Sequence, residues 1–251
     1  MIEDSLKKST LEEHIKELKN RIVKCVVVLI ILCCLSMFYA NDVYDFLAEP
    51  LLKAITQHNS NIERKLIFTG LTEGFMTHMK LSFFLGIGLS FPYIIFQFYM
   101  FLSPGLYANE KKIILPFVLS AIFLFFLGIC MAYFFVAPVA CDFFISFEGL
   151  INYHNKEIPV VLEARISEYL STMMQLLLSF GIVFQLPIVI LMLSKLGILS
   201  VEMLTKYRRH AIILNFILAA IITPPDVISQ ISLAIPMVLL YEISIMLVKK
   251  M

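Results

Sequence analysis

Charged residues are scarce in this sequence: Asp, Glu, Lys and Arg make up 16% of its 251 residues, against about 25% in soluble domains. Three stretches, 81–109, 113–141 and 169–194, contain none of the four. A bilayer core of about 30 Å needs roughly 20 helical residues, so each stretch is long enough to cross it. Lipid permits only helices or closed barrels, and continuous apolar runs favour helices. The sequence therefore predicts an all-α polytopic membrane protein.

Catalytic and ligand-binding signatures are also missing. The five histidines show no metal-binding spacing, and no nucleophile elbow or glycine-rich phosphate loop is present. Four of the five cysteines lie in apolar runs and suggest no disulfide framework, and a net charge of +1 gives no nucleic-acid signal. We therefore expect no enzyme, no metal or other cofactor and no nucleic-acid partner. The N-terminus lacks the apolar core of a signal peptide, so insertion should use the first membrane helix.

Six membrane spans are predicted within a single domain, 1–251. They lie at about 22–40, 76–102, 113–137, 168–193, 210–223 and 229–247. Fourteen of the 20 Lys and Arg residues fall in the N-terminal segment, the loops 103–112 and 194–209, and the C-terminal tail. The positive-inside rule then predicts both termini in the cytoplasm, with the loops 41–75 and 138–167 outside.

The last two spans have short apolar lengths. Thirteen residues separate His210 from Pro224, and 15 separate Asp226 from Glu242, which corresponds to about 20–22 Å of helix. Proline is expected to end helix five and Asp226 to cap helix six, giving a tight hairpin beside a thinned bilayer. The alternative is that both helices extend past these limits with polar ends.

The segment TLEEHIKELKNRI, 10–22, predicts an amphipathic helix. Thr10 and Glu13 fit a capping box at its start, and Glu17 with Arg21 forms a favourable i,i+4 pair. Two interpretations remain open for this helix. It lies on the lipid headgroups, where basic residues meet anionic lipid, or it is a docking surface for a partner peptide.

The segment FLSPGLYANEKK, 101–112, predicts a turn on the same face of the membrane. Pro104 and Gly105 are expected to break the helix after span two. Glu110 is the only acid of this loop; it either pairs with the adjacent lysines or receives a basic ligand. Because a carboxylate can bind a guanidinium in a bidentate way, Glu17 and Glu110 together could receive two arginines.

Polar side chains also occur inside the spans. Gln185 lies in the middle of span four, where its amide requires a hydrogen-bond partner. That partner is either within this chain, where Pro187 frees a carbonyl, or on the helix of another subunit. Gln230 and Glu242 in span six raise the same alternatives.

These motifs in combination resemble the TatC family, the multispanning subunit of the twin-arginine protein translocase. The resemblance covers about residues 10–248 and rests on four segments: HIKELKNRI, FLSPGLYANEKK, FGIVFQLPIVI and YRRHAIILNFILAAIITPPDVISQISLAIPMVLLYEI. It implies six transmembrane helices in a concave, glove-like bundle, with helices five and six short.

The resemblance also implies a function. TatC proteins bind twin-arginine signal peptides and, with small single-span subunits of the TatA/TatB type, move folded proteins across the bacterial-type cytoplasmic (inner) membrane using the proton-motive force. It further implies self-association in the receptor complex. The rival interpretation, a small-solute or ion-coupled secondary transporter, would predict internal repeats and several buried ionisable groups, which the sequence lacks.

Site residues follow at the matching positions. The signal-peptide site would comprise Glu17, Lys19, Phe101 and Glu110; Gln185 and Gln230 would meet a partner helix; and Pro50 and Asp226, with the helix-breaking Pro104, would be structural. Two residues depart from the family pattern. Lys19 stands where arginine is usual and lacks the planar fork. Gln185 stands where many members have glutamate, which leaves hydrogen bonding rather than titration as its role.

Overall fold

The computed structural model is almost entirely helical. It describes the backbone of residues 2–57, 66–102, 111–153, 156–160, 162–223 and 227–250, and the side chains of 15–57, 66–101, 115–148, 162–223 and 227–250. The helices are α1 (Ile2–Ser36), α2 (Ala40–Gln57), α3 (Glu73–Leu102), α4 (Lys111–Met131), α5 (Ala137–Ile145), α6 (Ile166–Val183), α7 (Leu186–Lys195), α8 (Val201–Lys206), α9 (Arg208–Ile222) and α10 (Val227–Lys250). An antiparallel hairpin of β1 (Gly149–Tyr153) and β2 (Lys156–Val160), which the sequence did not predict, precedes α6.

Within these described parts, five helical segments are long and apolar enough to cross a membrane. They are Ile15–Gln57, Glu73–Phe101, Leu115–Ile145, Ile166–Lys195 and Val227–Lys250. With the shorter α9 they correspond one to one to the six predicted spans. The prediction of an all-α polytopic membrane protein is confirmed, while the sides on which the termini lie stay a prediction.

The Cα positions group into two compact units. One comprises Met1–Ala40 and Leu81–Ile122, the other Asn41–Lys80 and Phe123–Met251. The three divisions fall after Ala40, the first residue of α2, and inside α3 and α4, so these helices contribute residues to both units. The single domain predicted from the sequence stays a prediction.

In the first unit, α1 runs antiparallel to α3. The buried Ser36 hydroxyl donates to the carbonyl of Ser82 at 2.6 Å. Towards the other end of the pair, Arg21 Nη1 donates to Gln97 Oε1 at 3.0 Å. Between these contacts the helices approach so closely that a Cβ on Gly86 would overlap the sulfur of Cys33 and lie 3.0 Å from its Cα. Small residues permit such close approach between membrane helices.

In the second unit, Pro50 lies buried inside α2, which continues past it to Gln57. Proline has no N–H, so the carbonyl four residues earlier, that of Phe46, loses its helical donor. The hydroxyl of Tyr133 donates to this carbonyl at 2.7 Å. Tyr169 donates to the neighbouring carbonyl of Leu47 at 2.9 Å. The helix therefore tolerates its proline because two tyrosines from other segments bind the adjacent carbonyls.

Helices α4 and α6 meet through two glycines. A Cβ on Gly128 would lie 2.6 Å from the carbonyl oxygen of Phe180, and one on Gly181 would lie 2.7 Å from the ring of Phe125. The Cβ on Gly128 would also lie 2.9 Å from the ring of Phe184, and the rings of Phe125 and Phe184 are both buried. A phenylalanine ring therefore packs at the position where the facing glycine has no side chain, and small residues commonly permit such close packing between membrane helices.

The hairpin of α9 and α10 is asymmetric. Helix α9 has 15 residues and ends two residues before Pro224, as predicted. The prediction that helix six is also short is wrong: α10 has 24 residues. Glu242, taken from the sequence as a polar end, instead forms an ion pair with Arg208 at 2.9 Å. The helix therefore continues past it, which is the alternative that the sequence left open for this helix.

Three further boundaries differ from the predictions. Helix α1 begins at Ile2, so Thr10 lies inside a helix rather than at its start. The third span passes through a π-helical turn, Ala132–Val136, and reaches Ile145. The fourth span is interrupted between Val183 and Leu186. Proline explains the last two, since Pro138 and Pro187 stand in the first turn of α5 and α7 and cannot donate to the preceding turn.

Candidate functional site

A hydrogen-bonded chain of four side chains joins α1 to α3 and begins at Glu17. Arg21 donates to Glu17 Oε1 from Nη2 at 2.6 Å and from Nε at 2.9 Å. Its third group, Nη1, donates to Gln97 Oε1 at 3.0 Å, and Gln97 Nε2 donates to the Tyr93 hydroxyl at 2.9 Å. The pair of Glu17 and Arg21 expected from the sequence is confirmed. Gln97 and Tyr93, which fix it to α3, were missed.

The described hydrogen bonds to Glu17 use only one of its two carboxylate oxygens. Both arginine contacts end on Oε1, and among the described residues no hydrogen bond to Oε2 occurs. The Glu17 side chain is 36% exposed, whereas Arg21 is 20% exposed. Glu17 borders a surface groove of about 370 Å³ with Lys16, Asn20, Arg21 and Lys24. The partly exposed carboxylate is thus held by Arg21 through one oxygen, in a groove that three basic side chains and Asn20 also line.

Two of the predicted site residues lie at the same level of the helix pair. Because α1 and α3 are antiparallel, the residue four before Arg21 is level with the residue four after Gln97, so Glu17 is level with the half-buried Phe101. Lys19 is exposed and does not border the groove, since side chains two apart on a helix point in different directions.

Three predicted site residues lie outside the described part of the chain. These are Glu110, Pro104 and Asp226. Their assigned roles stay predictions, as does the role of Lys19.

Gln185 lies in the interruption between α6 and α7. Its backbone N–H donates to the carbonyl of Ile182 at 3.0 Å, and its side-chain Nε2 approaches the carbonyl of Gly181 at 3.4 Å. The side-chain amide of Gln185 therefore has a hydrogen-bond partner within this chain, which is one of the two alternatives that the sequence left open. The distance of 3.4 Å is long for an N–H···O hydrogen bond. The Gln185 side chain is half-buried, so a second polar group can still reach it.

Three amides lie in or beside the hairpin of α9 and α10; sequence reasoning named Gln230 and missed Gln175 and Asn215. Gln175 Nε2 donates at 2.6 Å to the carbonyl of Ile222, one of the carbonyls that the end of α9 leaves without a helical donor. Gln230 Nε2 makes only a long contact, 3.5 Å, with the carbonyl of Phe216. Asn215 is buried, and its Nδ2 has no hydrogen-bond partner among the described residues. The signal in the sequence was the same for all: an amide in an apolar helix.

These features define an α-helical integral membrane protein. Its helices hold a carboxylate at one end of the α1–α3 pair, and amides in or beside the hairpin of α9 and α10. The sequence model of the family described as Sec-independent protein translocase protein (TatC) matches residues 13–236. The chain therefore belongs to the TatC family. Members of this family are components of a protein translocase, and the family is not a known enzyme family.

The similarity to known proteins extends over nearly the whole chain. The Sec-independent protein translocase protein TatC of Rickettsia prowazekii (strain Madrid E) is 43% identical over 242 residues, covering 96% of this chain and 93% of that protein. The protein of the same name from Escherichia coli (strain K12) is 35% identical, covering 92% and 85%. A crystal structure described as Twin Arginine Translocase Receptor-TatC superimposes with a TM-score of 0.78 at 34% identity, covering 94% and 98%.

Proposed function

We propose that this chain is the subunit of a Sec-independent translocase that receives twin-arginine signal peptides at the cytoplasmic face of the bacterial inner membrane. With small single-span subunits of the TatA/TatB type, it would pass folded proteins across that membrane at the expense of the proton-motive force. Membership of the TatC family supports this role. It disfavours the rival role of a small-solute or ion-coupled transporter.

The observation that carries the proposal is the orientation of Glu17. Arg21 holds Oε1, and Gln97 holds Arg21, so Oε2 is directed away from these contacts before any ligand arrives. A preorganised carboxylate binds a guanidinium with little loss of side-chain entropy. Phe101, level with Glu17, adds an apolar and aromatic surface next to the bound arginine. We assign Glu110 to the second arginine of the pair, and Lys19 to the same face.

The experiment that tests this role is binding of a twin-arginine peptide to the purified protein in detergent, with a twin-lysine peptide for comparison. Glu17→Gln keeps the size of the side chain but removes its charge, and we expect at least a tenfold loss of affinity, since a hydrogen bond to a charged group contributes about 1.5–3 kcal/mol. Glu202→Gln, which neutralises an exposed carboxylate on α8, is the matched control and should bind normally. Normal binding by Glu17→Gln, or equal affinity for the two peptides, would contradict the proposal.

Glu110 is tested separately by export in cells. We expect Glu110→Gln and Glu110→Ala to abolish export of a twin-arginine substrate while the protein still inserts into the membrane. Peptide binding of normal strength by these variants would refute the role of Glu110 and would leave that of Glu17 open.

Partner helices are proposed to pack against the hairpin. Helix α9 exposes the side chains of Ile213, Ile217 and Ile221 on one stripe, a surface that a single apolar helix can cover. Gln230, whose intrachain contact is long, and Gln185 would donate to a polar group of that helix. Site-specific crosslinking of the small subunit tests this, and Gln230→Leu and Gln185→Leu should each reduce it. Unchanged crosslinking in both variants would count against partner binding here.

A further inference from the structure

A cavity of about 530 Å³ lies in the second unit at the end of α6 that begins with Ile166. Its wall is mainly apolar and includes Leu51, Ala140, Phe144, Met173 and Leu176. The volume lies within the range of about 300–1,000 Å³ that is typical of small-molecule sites. None of the residues assigned to peptide or partner binding lines it, so it is not part of the site proposed above.

The mouth of this cavity carries three charges. Glu163, Arg165 and Glu168 line it together, and the side chains of Arg165 and Glu168 are 40% and 72% exposed. Glu163 is also exposed and forms no ion pair with any residue that the structure describes. One cation and two carboxylates give the mouth a net charge of −1, above a wall that is apolar.

Arg165 is held in place by two carboxylates, those of the buried Glu73 and of Glu168. Its Nε and Nη2 donate to the two oxygens of the buried Glu73 at 2.9 and 3.2 Å, and Nη1 donates to Glu168 at 3.0 Å. Glu73 in turn accepts from the backbone N–H groups of Thr69 and Gly70 at 2.7 and 3.0 Å. These carboxylates raise the pKa of Arg165, Glu73 having the larger effect. Three of the five guanidinium N–H groups are thereby used, and two remain for a ligand.

The depth of the cavity corresponds to one leaflet of a bilayer. From Glu168 at the mouth to Leu176 in the wall there are eight residues of α6, or about 12 Å along the helix. Half of the hydrocarbon core is about 15 Å. The end of α9 reaches only the level of Gln175, where Gln175 contacts the carbonyl of Ile222. Helix α9 therefore does not extend along this depth of α6, and Ser229 of α10 lines the cavity.

We propose that this cavity is a binding site for one phospholipid with a primary ammonium headgroup, of the phosphatidylethanolamine type. One acyl chain occupies the apolar part between α2, α5 and α6. The ammonium group donates to the carboxylates of Glu163 and Glu168, and the two remaining N–H groups of Arg165 donate to the phosphate. An anionic headgroup would add negative charge to a mouth that is already negative, and a choline headgroup has no N–H to donate.

The test is lipid retention by the detergent-purified protein, measured by native mass spectrometry. The protein is incubated with phosphatidylethanolamine, phosphatidylglycerol and phosphatidylcholine of identical acyl chains. We expect at least tenfold greater retention of the ethanolamine lipid. Thr172→Phe places an aromatic ring at a half-buried position of the cavity wall and should abolish this preference. Glu163→Gln removes one carboxylate of the mouth and should weaken the preference. Glu202→Gln on α8, away from the cavity lining, is the matched control and should retain the lipid normally.

Three outcomes would overturn the proposal: equal retention of phosphatidylglycerol, unchanged retention in Thr172→Phe, or a Thr172→Cys protein that crosslinks to a small translocase subunit and not to a photoreactive lipid. Glu163 is exposed, so Glu163→Gln tests the headgroup contact even where Thr172→Phe does not fold. The lipid site does not depend on the peptide-binding role of Glu17, and either can fail without the other.

Discussion

The contact between Tyr133 and the carbonyl of Phe46 leads to the most specific prediction about stability. Pro50 removes the N–H that would normally bind this carbonyl, and the Tyr133 hydroxyl replaces it at 2.7 Å, with a second contact to Glu49 Oε2 at 3.2 Å. Tyr133 is 6% exposed, so water does not replace the lost donor in Tyr133→Phe. An unsatisfied buried acceptor costs about 1–3 kcal/mol, or about 5- to 150-fold in the unfolding equilibrium.

A double-mutant cycle separates this hydrogen bond from general loss of packing. Pro50→Ala restores a backbone N–H that can bind the same carbonyl within α2, so Tyr133→Phe should cost less in the Pro50→Ala background. We expect a coupling free energy of about 1 kcal/mol, well above the roughly 0.3–0.5 kcal/mol within which independent sites add. Part of the Tyr133→Phe effect should persist, because the contact with Glu49 does not depend on Pro50.

The assay is unfolding of the four proteins in one detergent, followed by far-UV circular dichroism. Tyr39→Phe, at a tyrosine that is 61% exposed, is the control and should leave the free energy of unfolding unchanged. Additive effects of Pro50→Ala and Tyr133→Phe, or a Tyr133→Phe protein as stable as the parent, would show that the hydroxyl does not substitute for the missing N–H.

Three further predictions follow from contacts between helices. Gly128→Ala should destabilise the protein by about 1–3 kcal/mol because its Cβ would meet a backbone carbonyl that cannot move aside. Gln175→Leu should destabilise it by about 0.5–1.5 kcal/mol, as it removes the donor that the terminal carbonyl of α9 receives in this exposed contact. Gln97→Leu should weaken twin-arginine peptide binding about threefold to tenfold with little loss of stability, because Glu17 loses the support of its arginine.

Each of these three has its own control. Gly88→Ala, where a Cβ would meet nothing within 4 Å, should be neutral or stabilising; equal losses at both glycines would refute the packing argument. Gln175→Glu retains an acceptor but no donor and should be no better than Gln175→Leu; full stability of either variant would contradict the capping role. Peptide affinity unchanged in Gln97→Leu would show that Arg21 positions Glu17 without Gln97.

The spans could be predicted with useful accuracy, because a charge-free run of about 20 residues in lipid has no stable alternative to a helix. Several of their ends could not. Thr10 and Pro50 carry strong local signals for a helix start and a helix end, yet both lie inside helices. At Pro50 the reason is visible, since two tyrosines far away in the chain bind the adjacent carbonyls. A local signal for the end of a helix is overridden where side chains from other segments provide the missing hydrogen bonds to the backbone.

The sequence by itself determined the class of protein, the family, and the contacts that follow from helical spacing. Glu17 and Arg21 are four residues apart on one helix, so their pairing needs no other part of the chain. Only the tertiary structure decided what lies across from them: Gln97 behind Arg21, Glu73 behind Arg165, Gln175 at the end of α9. These partners are 76, 92 and 47 residues apart. No spacing rule connects residues so distant, since their meeting depends on which helices pack together and in which register.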